Sequence, residues 1–274
     1  MKKSIYISGL KGFIGDNLKR DIKKKNIFLI KNNVKSLKKG ETIIHLASKT
    51  GTVQSWDNPE NYIKTNTDLL LNLLEVCRKK KLNLIFFSSV YLDNKITKLK
   101  SNTKMFPSNP YALSKYLCEN MCKFFSSEYK LNITVLRLPI IFGYNQNKKF
   151  LIPVLLNKLK KNKSINLYGP DVLRNYIFID DLIEIIHKVI VKQKRKFKLY
   201  NLDNKKNYLT NYDVVNFLFK CTESKSKILK KKSRRNEIKK LEINSSEIYK
   251  DFKWKPKINF KEGIKKILND SFKK

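Results

Sequence analysis

The chain of 274 residues is 41% hydrophobic and 30% charged, with a formal net charge of +37. Such a composition describes a globular chain with core enough for one large domain or two unequal ones. No apolar run reaches the length of a membrane span, and the stretch before Gly9 is too short for the core of a secretory leader, so a cytoplasmic location is expected. The charge comes from 53 lysines and only 7 arginines, spread along the whole chain. Base readers and bidentate phosphate clamps favour arginine, so this pattern reads as solvated faces and argues against nucleic acid.

The first predicted strand, Ile5 to Ser8, runs straight into Gly9, Gly12 and Gly15. A helix follows, with Ile14, Leu18 and Ile22 at four-residue steps. Strand, evenly spaced glycines and helix together predict a cradle for the pyrophosphate of a dinucleotide. Gly9 permits the tight turn, Gly12 lets phosphate approach the backbone, and Gly15 lets the helix sit close to the sheet. The free N–H groups at the start of that helix, around Phe13 and Ile14, then face the phosphates.

Further strands are predicted over Ile27–Ile30, Ile43–Leu46, Leu84–Ser88 and Ile133–Leu138. Thr67–Lys79 reads as a helix with Leu69, Leu70, Leu73, Leu74 and Cys77 on one face, capped by Thr65, Asn66 or Thr67. Tyr111–Ser127 reads as another, with Leu113, Tyr116, Leu117, Met121, Phe124 and Phe125 on one face. Alternating strands and helices predict an α/β fold with a doubly wound parallel sheet. Only about a dozen residues separate the second strand from Ile43, too few for a crossover helix and another strand, so one βα unit is expected to be shortened or missing. Beyond residue 143 the alternation loosens, and Pro153, Pro170 and Pro256 punctuate shorter elements. The expected division is a dinucleotide-binding domain over 1–143 and a smaller substrate lobe over 144–274, some segments of which return to the first sheet. Lys225 to Lys240, with Arg234 and Arg235, is the densest basic block and the best candidate for an anionic partner, though it reads first as solvated surface. Cys77, Cys118, Cys122 and Cys221 lack metal-ligand spacing and are expected to be reduced core thiols, with no metal site.

Four Tyr-x-x-x-Lys patterns occur, starting at Tyr91, Tyr111, Tyr144 and Tyr249. Only Tyr111 follows Asn109-Pro110, opens a long helix and comes after a strand that ends in Ser88-Ser89. A lysine one turn beyond a tyrosine can bring its ammonium near the phenol and lower the phenol pKa towards neutrality. Such a tyrosine exchanges a proton with a carbinol or ketone while hydride moves to or from a nicotinamide. A strand-end hydroxyl would complete a Ser/Tyr/Lys site. Ser89 is preferred to Ser88 because it is the second polar residue past the apolar run; both are also able simply to cap a turn.

On these residues the chain resembles the extended short-chain dehydrogenases/reductases, the NAD-dependent epimerase/dehydratase group that acts on nucleotide sugars. The resemblance covers almost the whole length. It includes Gly-x-x-Gly-Phe-Ile-Gly at 9–15, His45-Leu46-Ala47, Asp57-Asn58-Pro59-Glu60, Asn66 with Asn72-Leu73-Leu74-Glu75, and Ser88-Ser89-Val90-Tyr91. It continues through Asn109-Pro110-Tyr111-Ala112-Leu113-Ser114-Lys115, Leu136-Arg137-Leu138-Pro139, Tyr168-Gly169-Pro170-Asp171, Arg174 to Asp181, and Phe252 to Ile258. It implies a Rossmann-type fold, NAD or NADP as cofactor, a nucleotide-sugar substrate and a homodimer built on the helices at 67–79 and 111–127. By resemblance, Tyr111 transfers the proton, Lys115 holds the nicotinamide ribose and tunes Tyr111, and Ser89, with Ser88 beside it, orients the sugar oxygen. Gly9, Gly12, Phe13, Ile14, Gly15, Lys31, Leu46, Ala47 and Asn66 fall in the cofactor segments. Arg174 would clamp the diphosphate with its forked guanidinium. His45 would close its strand beside the cofactor without being a ligand, and Asp180 and Asp181 would cap the helix that follows.

The departures from the family pattern carry their own expectations. Dehydratases of this group place an acidic pair just after the Ser/Thr, where this chain has Val90-Tyr91, so dehydration is disfavoured. The Ser-Ser-Val-Tyr stretch is also about one residue shorter than usual. The usual aspartate after the second strand is replaced by Lys31-Asn32-Asn33, which weakens NAD selectivity and offers a lysine to a 2′-phosphate. Ile140-Ile141 stands where many members carry an asparagine that contacts sugar or phosphate. The expected reaction is 4-epimerisation through a transient keto sugar, with NADPH-dependent reduction of a 4-keto sugar as the alternative. A non-catalytic Rossmann-type protein that binds nucleic acid or an acidic partner through its lysines is the reading of another class.

Overall fold

The computed structural model describes residues 3–192, 196–234 and 236–271. Strand β1 (Ser4–Ser8) leads into helix α1 (Phe13–Lys25), and the chain returns as the short strand β2 (Leu29–Ile30) beside β1. A single 3₁₀ turn, Val34–Ser36, then carries it across to β3 (Thr42–His45) on the other side of β1. After helices α2 (Gln54–Asp57) and α3 (Pro59–Lys80) come β4 (Asn83–Ser89), the two-residue β5 (Lys98–Leu99), α4 (Pro110–Tyr129) and β6 (Ile133–Leu138). The chain continues through β7 (Ile140–Phe142), α5 (Leu151–Lys160), β8 (Ile165–Tyr168), β9 (Leu173–Phe178), α6 (Ile179–Lys192) and β10 (Phe197–Asn201). It ends with β11 (Tyr208–Thr210), α7 (Asn211–Thr222), β12 (Ile228–Lys231), β13 (Glu242–Ile243), α8 (Ser246–Phe252) and α9 (Phe260–Ser271).

Six strands pair in parallel in the order β2-β1-β3-β4-β6-β10. The expected shortening is real: residues 31–41 hold only the 3₁₀ turn, and β2 is the edge of the sheet. Because the winding reverses at β1, a crevice opens at the carboxyl ends of β1 and β3, where open α/β sheets take their ligands.

Side chains alternate across the sheet and feed two cores. Ile43, Leu84, Phe86, Ile133 and Val135 join α3 and α4 on one face. Ile5, Ile7, Ile44, Ile85, Phe87 and Leu138 join α1 and α6 on the other. Burial on both faces is why these strands read as continuous apolar runs. Each such side chain contributes roughly 1.5–3 kcal/mol when fully buried. Of the four expected core thiols, Cys77, Cys118 and Cys122 lie in the first of these cores, while Cys221 is half-buried outside both. Phe252 and Trp254, in the family-like C-terminal segment, are buried in the second.

One sequence expectation is corrected by the helices. α3 starts at Pro59, well before Thr67, and its cap is Asn58, whose side chain accepts the Asn61 N–H. Proline at the first helical position and buried Tyr62, whose hydroxyl donates to the Thr50 carbonyl, extend the helix ahead of the leucine stripe. The bulky stripe of α4 is divided: Phe125 is buried in the first core and Met121 packs against it, while Leu113, Leu117 and Phe124 face outward. Leu113, Leu117 and Phe124 are 36%, 37% and 55% exposed, and Leu69 on α3 is 40% exposed. The buried side of α4 is Ala112, Ser114, Lys115, Cys118 and Cys122. Small side chains on that side let α4 pack closely on α3 and the sheet, with Phe125 the large residue of the stripe buried beside them.

Three small sheets, β11-β9-β7, β12-β8 and β13-β5, hold the remaining strands. Phe142 and the β9 residues Tyr176 and Phe178 join Phe260 of α9 in an aromatic cluster on the first of these sheets, mostly edge to face. In the basic block, Arg234 lies over the Tyr168 ring and Lys230 over Tyr212, while Arg235 falls outside the described residues. Among the described residues no helix is long and apolar enough to cross a membrane, and no group of three or more His, Cys, Asp or Glu could hold a metal.

Candidate active site

The glycine loop sits at the reversal crevice and is packed against backbone on two sides. Gly9 has φ +76°, and a Cβ there would lie 2.6 Å from the Ala47 nitrogen. Leu46 and Ala47 are thus brought against the loop, with the Leu46 N–H donating to the Ser8 carbonyl. A Cβ at Gly15 would lie 2.3 Å from the Gly9 carbonyl oxygen. Gly12 differs: a Cβ there would meet only that same oxygen, at 3.2 Å, so its other side is open. Helix α1 starts at Phe13 with no side-chain cap, leaving the N–H groups of its first turn for a ligand. A loop tight against protein at Gly9 and Gly15, open at Gly12 and uncapped at α1 fits the pyrophosphate of a dinucleotide.

Tyr111 and Lys115 stand one turn apart at the start of α4, oriented by the Asn109 cap, whose side chain accepts the Ala112 N–H. Lys115 is 5% exposed and donates to the Phe87 carbonyl at 2.9 Å, with its ammonium over the Phe86 ring. Burial pulls its pKa down to about 8. Tyr111 does not show the expected lowering: burial pushes its pKa up to about 12, helped by Cys118 and Tyr62. The lysine is directed at β4 rather than at the phenol, so desolvation of the phenolate wins. His45, stacked on Phe86 and bonded through Nδ1 to the Ser8 hydroxyl at 2.6 Å, is driven down to about 3 by burial and then by Lys115. It is a neutral strand-end residue beside the loop.

Ser88 and Ser89 end β4 on opposite faces. Ser88 shares the α4 face with Phe86 and is in register with Arg137 of β6, which is in turn in register with Asn201 of β10. Among the described residues its hydroxyl is buried without a hydrogen-bond partner, as are Nη1 of Arg137 and Oδ1 of Asn201. Ser89 accepts the Tyr91 N–H at 3.0 Å, and its own proton is not donated among the described contacts. The sequence reading missed the buried pair beside them. Arg137 donates through Nε and Nη2 to both Glu119 oxygens, at 2.8 and 2.6 Å, with side chains 4% and 5% exposed. An arginine inside the apolar run Ile133–Leu138 was the signal that could have found it.

Other expected residues are engaged differently. Asn66 lies inside α3, not at its start. It accepts the Lys49 N–H and the Ser48 hydroxyl and donates to the Ser114 hydroxyl, so it ties the loop after β3 to α4. Arg174 stacks on Tyr91, donates to the carbonyls of Leu173 and Ile238, and pairs with Glu237 at 3.1 Å. The Tyr91 hydroxyl accepts the Asn175 N–H at 2.7 Å, which places β9 beside the end of β4. Asp180 and Asp181 lie in the first turn of α6 but do not cap it. Asp181 is buried and accepts the N–H groups of Lys257 and Ile258, and Asp180 pairs with Lys266. Lys31 follows β2, with its N–H on the Ile5 carbonyl, and lines a cleft beside the glycine loop.

The sequence profile of the NAD dependent epimerase/dehydratase family matches residues 5–203. The UDP-glucuronate 4-epimerase of Thermodesulfobacterium geofontis is 26% identical over 83% of this chain and 71% of its own length. The dTDP-glucose 4,6-dehydratase of Salmonella typhimurium is 25% identical over 83% of this chain and 71% of its own. Among solved structures, the fold is shared with the UDP-glucose 4-epimerase of Thermotoga maritima with UDP-glucose, at a TM-score of 0.87 and 20% identity over 98% of this chain and 99% of that one. It is shared too with RMD of Pseudomonas aeruginosa complexed with NADPH, at a TM-score of 0.85 and 19% identity over 98% of both. A family profile over most of the chain, on a six-stranded parallel sheet with a glycine cradle at its reversal, establishes that this chain belongs to the NAD-dependent epimerase/dehydratase family.

Proposed function

We propose that this chain is a nucleotide-sugar 4-epimerase, which oxidises and re-reduces C4 of a nucleotide-bound hexose with NAD or NADP in the crevice between β1 and β3. Lys115 carries the reading. It is a buried cation held near the carboxyl end of β4, one turn beyond Tyr111. A purely structural position there would be filled better by an apolar side chain.

The nicotinamide, when bound, supplies the acceptor and donor of hydride. Tyr111 moves the proton at the C4 oxygen. Burial holds it protonated, which is the form that donates to a ketone. Taking a proton from the C4 hydroxyl needs the phenolate, which requires the Lys115 ammonium to turn from the Phe87 carbonyl towards the phenol once cofactor and sugar are bound. Ser89 donates its free hydroxyl proton to the same oxygen. Arg174 stands beside the strand end for the diphosphate, held in place by Tyr91 and Glu237. Epimerisation is favoured over dehydration because Val90 and Tyr91 supply no acid. The next carboxylate, Asp93, is buried and already accepts the N–H groups of Lys95 and Phe106. Reduction of a 4-keto sugar is the second reading, favoured by the lysines at the cofactor's ribose end. The outward stripe of Leu69, Leu113, Leu117 and Phe124 suits burial against a second copy, giving a homodimer through α3 and α4.

The test is incubation of the purified protein with UDP- and dTDP-hexoses, with the products separated chromatographically. Interconversion of C4 epimers, lowered roughly 100-fold or more in Tyr111→Phe, is expected. No conversion of any nucleotide hexose, with consumption of NADPH on a 4-keto sugar, would transfer the assignment to the reductase. Near-normal turnover by Tyr111→Phe would remove both.

A further inference from the structure

We propose that Glu119 is a positioning residue for Lys115: gripped by Arg137, its carboxylate is the counter-charge that keeps the Lys115 ammonium protonated in a buried site. The inference rests on the reading above, in which Tyr111 depends on that ammonium, and it gives a role to the buried ion pair that the reading leaves unused.

Glu119 stands one turn beyond Lys115, and both lie on the buried side of α4, where side chains four apart are neighbours. Arg137 donates to both Glu119 oxygens and so fixes where the negative charge sits. Arg137 is in register with Ser88, the residue after Phe87, whose carbonyl accepts from Lys115. The ion pair and the Lys115 contact therefore lie side by side at the carboxyl ends of β4 and β6. Stability alone does not account for the pair, because two well-packed apolar side chains of similar volume are often as stable as a buried ion pair or more so. Here Nη1 of Arg137 and the flanking Ser88 and Asn201 oxygens also lack hydrogen-bond partners among the described residues.

The groups around Lys115 leave Glu119 as its anion. Burial pulls the lysine down, and Cys118, Glu119 and Cys122 of α4 act against it. Burial also pushes the Cys118 thiol up to about 11 and Cys122 well above its ordinary value, so both are uncharged near neutral pH. On α3, the Cys77 thiol is pushed up to about 12, and the Tyr62 hydroxyl donates to the Thr50 carbonyl. On β3, His45 is neutral, and Tyr111 itself is a protonated phenol. Arg137, on β6, is the other cation and cannot give up its proton, so removal of the Glu119 charge falls on the lysine. When Lys115 turns from the Phe87 carbonyl towards the phenol it gives up that acceptor, and the fixed Glu119 carboxylate remains as its counter-charge.

The experiment follows Lys115 by NMR in the full chain labelled with carbon-13 at lysine Cε. Its signal is displaced by the Phe86 ring, whose centroid lies 4.9 Å from the ammonium, and is identified by its absence in Lys115→Gln. The wild type should titrate with a midpoint of about 8. The double variant Glu119→Gln/Arg137→Met removes both buried charges and should keep close to wild-type stability. Its Lys115 midpoint should nevertheless fall by roughly 1 unit or more, and turnover of nucleotide sugar near neutral pH should fall with it. Glu119→Gln alone, although less stable, should show the same downward shift. A purely structural pair leaves the Lys115 midpoint unchanged in either variant, and that result overturns the proposal. A lowered midpoint with wild-type turnover near neutral pH overturns it as well. A wild type that converts no nucleotide sugar, with Lys115 shifting as stated, removes the reaction proposed above and leaves Glu119 standing as the counter-charge of the lysine.

Discussion

The three glycines of the first loop separate folding from binding. At Gly15 a methyl group would sit 2.3 Å from the Gly9 carbonyl oxygen and 2.9 Å from the Leu10 Cα, both backbone atoms that cannot swing aside. Overpacking of this kind costs about 1–3 kcal/mol. At Gly9 a similar clash, 2.6 Å from the Ala47 nitrogen, is joined by a left-handed backbone at φ +76°, which adds about 1 kcal/mol for a residue with a Cβ. Gly12 has ordinary backbone at φ −77° and a single contact at 3.2 Å. Alanine there should change stability by no more than about 0.5 kcal/mol. Its methyl would nevertheless stand where phosphate must approach. Gly40, with φ +82° and no atom within 4 Å of where a Cβ would stand, serves as the control for backbone strain alone. Denaturant unfolding should therefore rank Gly12→Ala close to wild type, Gly40→Ala below it, and Gly15→Ala and Gly9→Ala lowest. Dinucleotide titration should show binding lost in Gly9→Ala, Gly12→Ala and Gly15→Ala but kept in Gly40→Ala. Gly12→Ala with wild-type affinity, or Gly15→Ala with wild-type stability, would refute this reasoning.

Glu119→Gln leaves the Arg137 charge buried and half-satisfied, and should lower stability by about 3–5 kcal/mol, read as a drop in denaturant midpoint at unchanged slope. His45 has its pKa lowered to about 3 in the fold, from an ordinary 6.5, so the unfolded chain takes up its proton first as pH falls. Its contribution is complete above pH 6.5 and is lost as pH falls towards 3, by about 2 kcal/mol at around pH 5; the gap in stability between wild type and His45→Gln should narrow over that range, and a constant gap would show that His45 titrates normally. Ser89→Ala should cut turnover strongly with little change in KM, while Ser88→Ala should leave turnover close to wild type, and the reverse order would exchange their roles.

Much of this could be read from the chain because local signals agreed with tertiary ones. The strand-glycine-helix start and the short link between β2 and β3 each follow from spacing alone, and both were found where spacing put them. Asn109-Pro110 likewise announced α4. Which side of α4 meets the sheet stayed open, because periodicity shows which residues share a side but not which side is covered. Close packing over Ala112, Ser114, Cys118 and Cys122 decided that. The Tyr111 pKa was misread because chain spacing gives proximity to Lys115 but not direction, and Lys115 turns to the Phe87 carbonyl. Arg174 and Asp181 found partners in residues 237–238 and 257–258, contacts between segments far apart in sequence that no local pattern encodes.

The most direct test of the central claim is the fate of a deuterium label at C4 of a UDP-hexose during conversion by wild type and by Tyr111→Phe. The account predicts a C4-inverted product that keeps its deuterium, and no measurable inversion by Tyr111→Phe. Inversion with the label lost to solvent, or at the wild-type rate in Tyr111→Phe, would contradict hydride transfer at C4 with Tyr111 as the proton carrier.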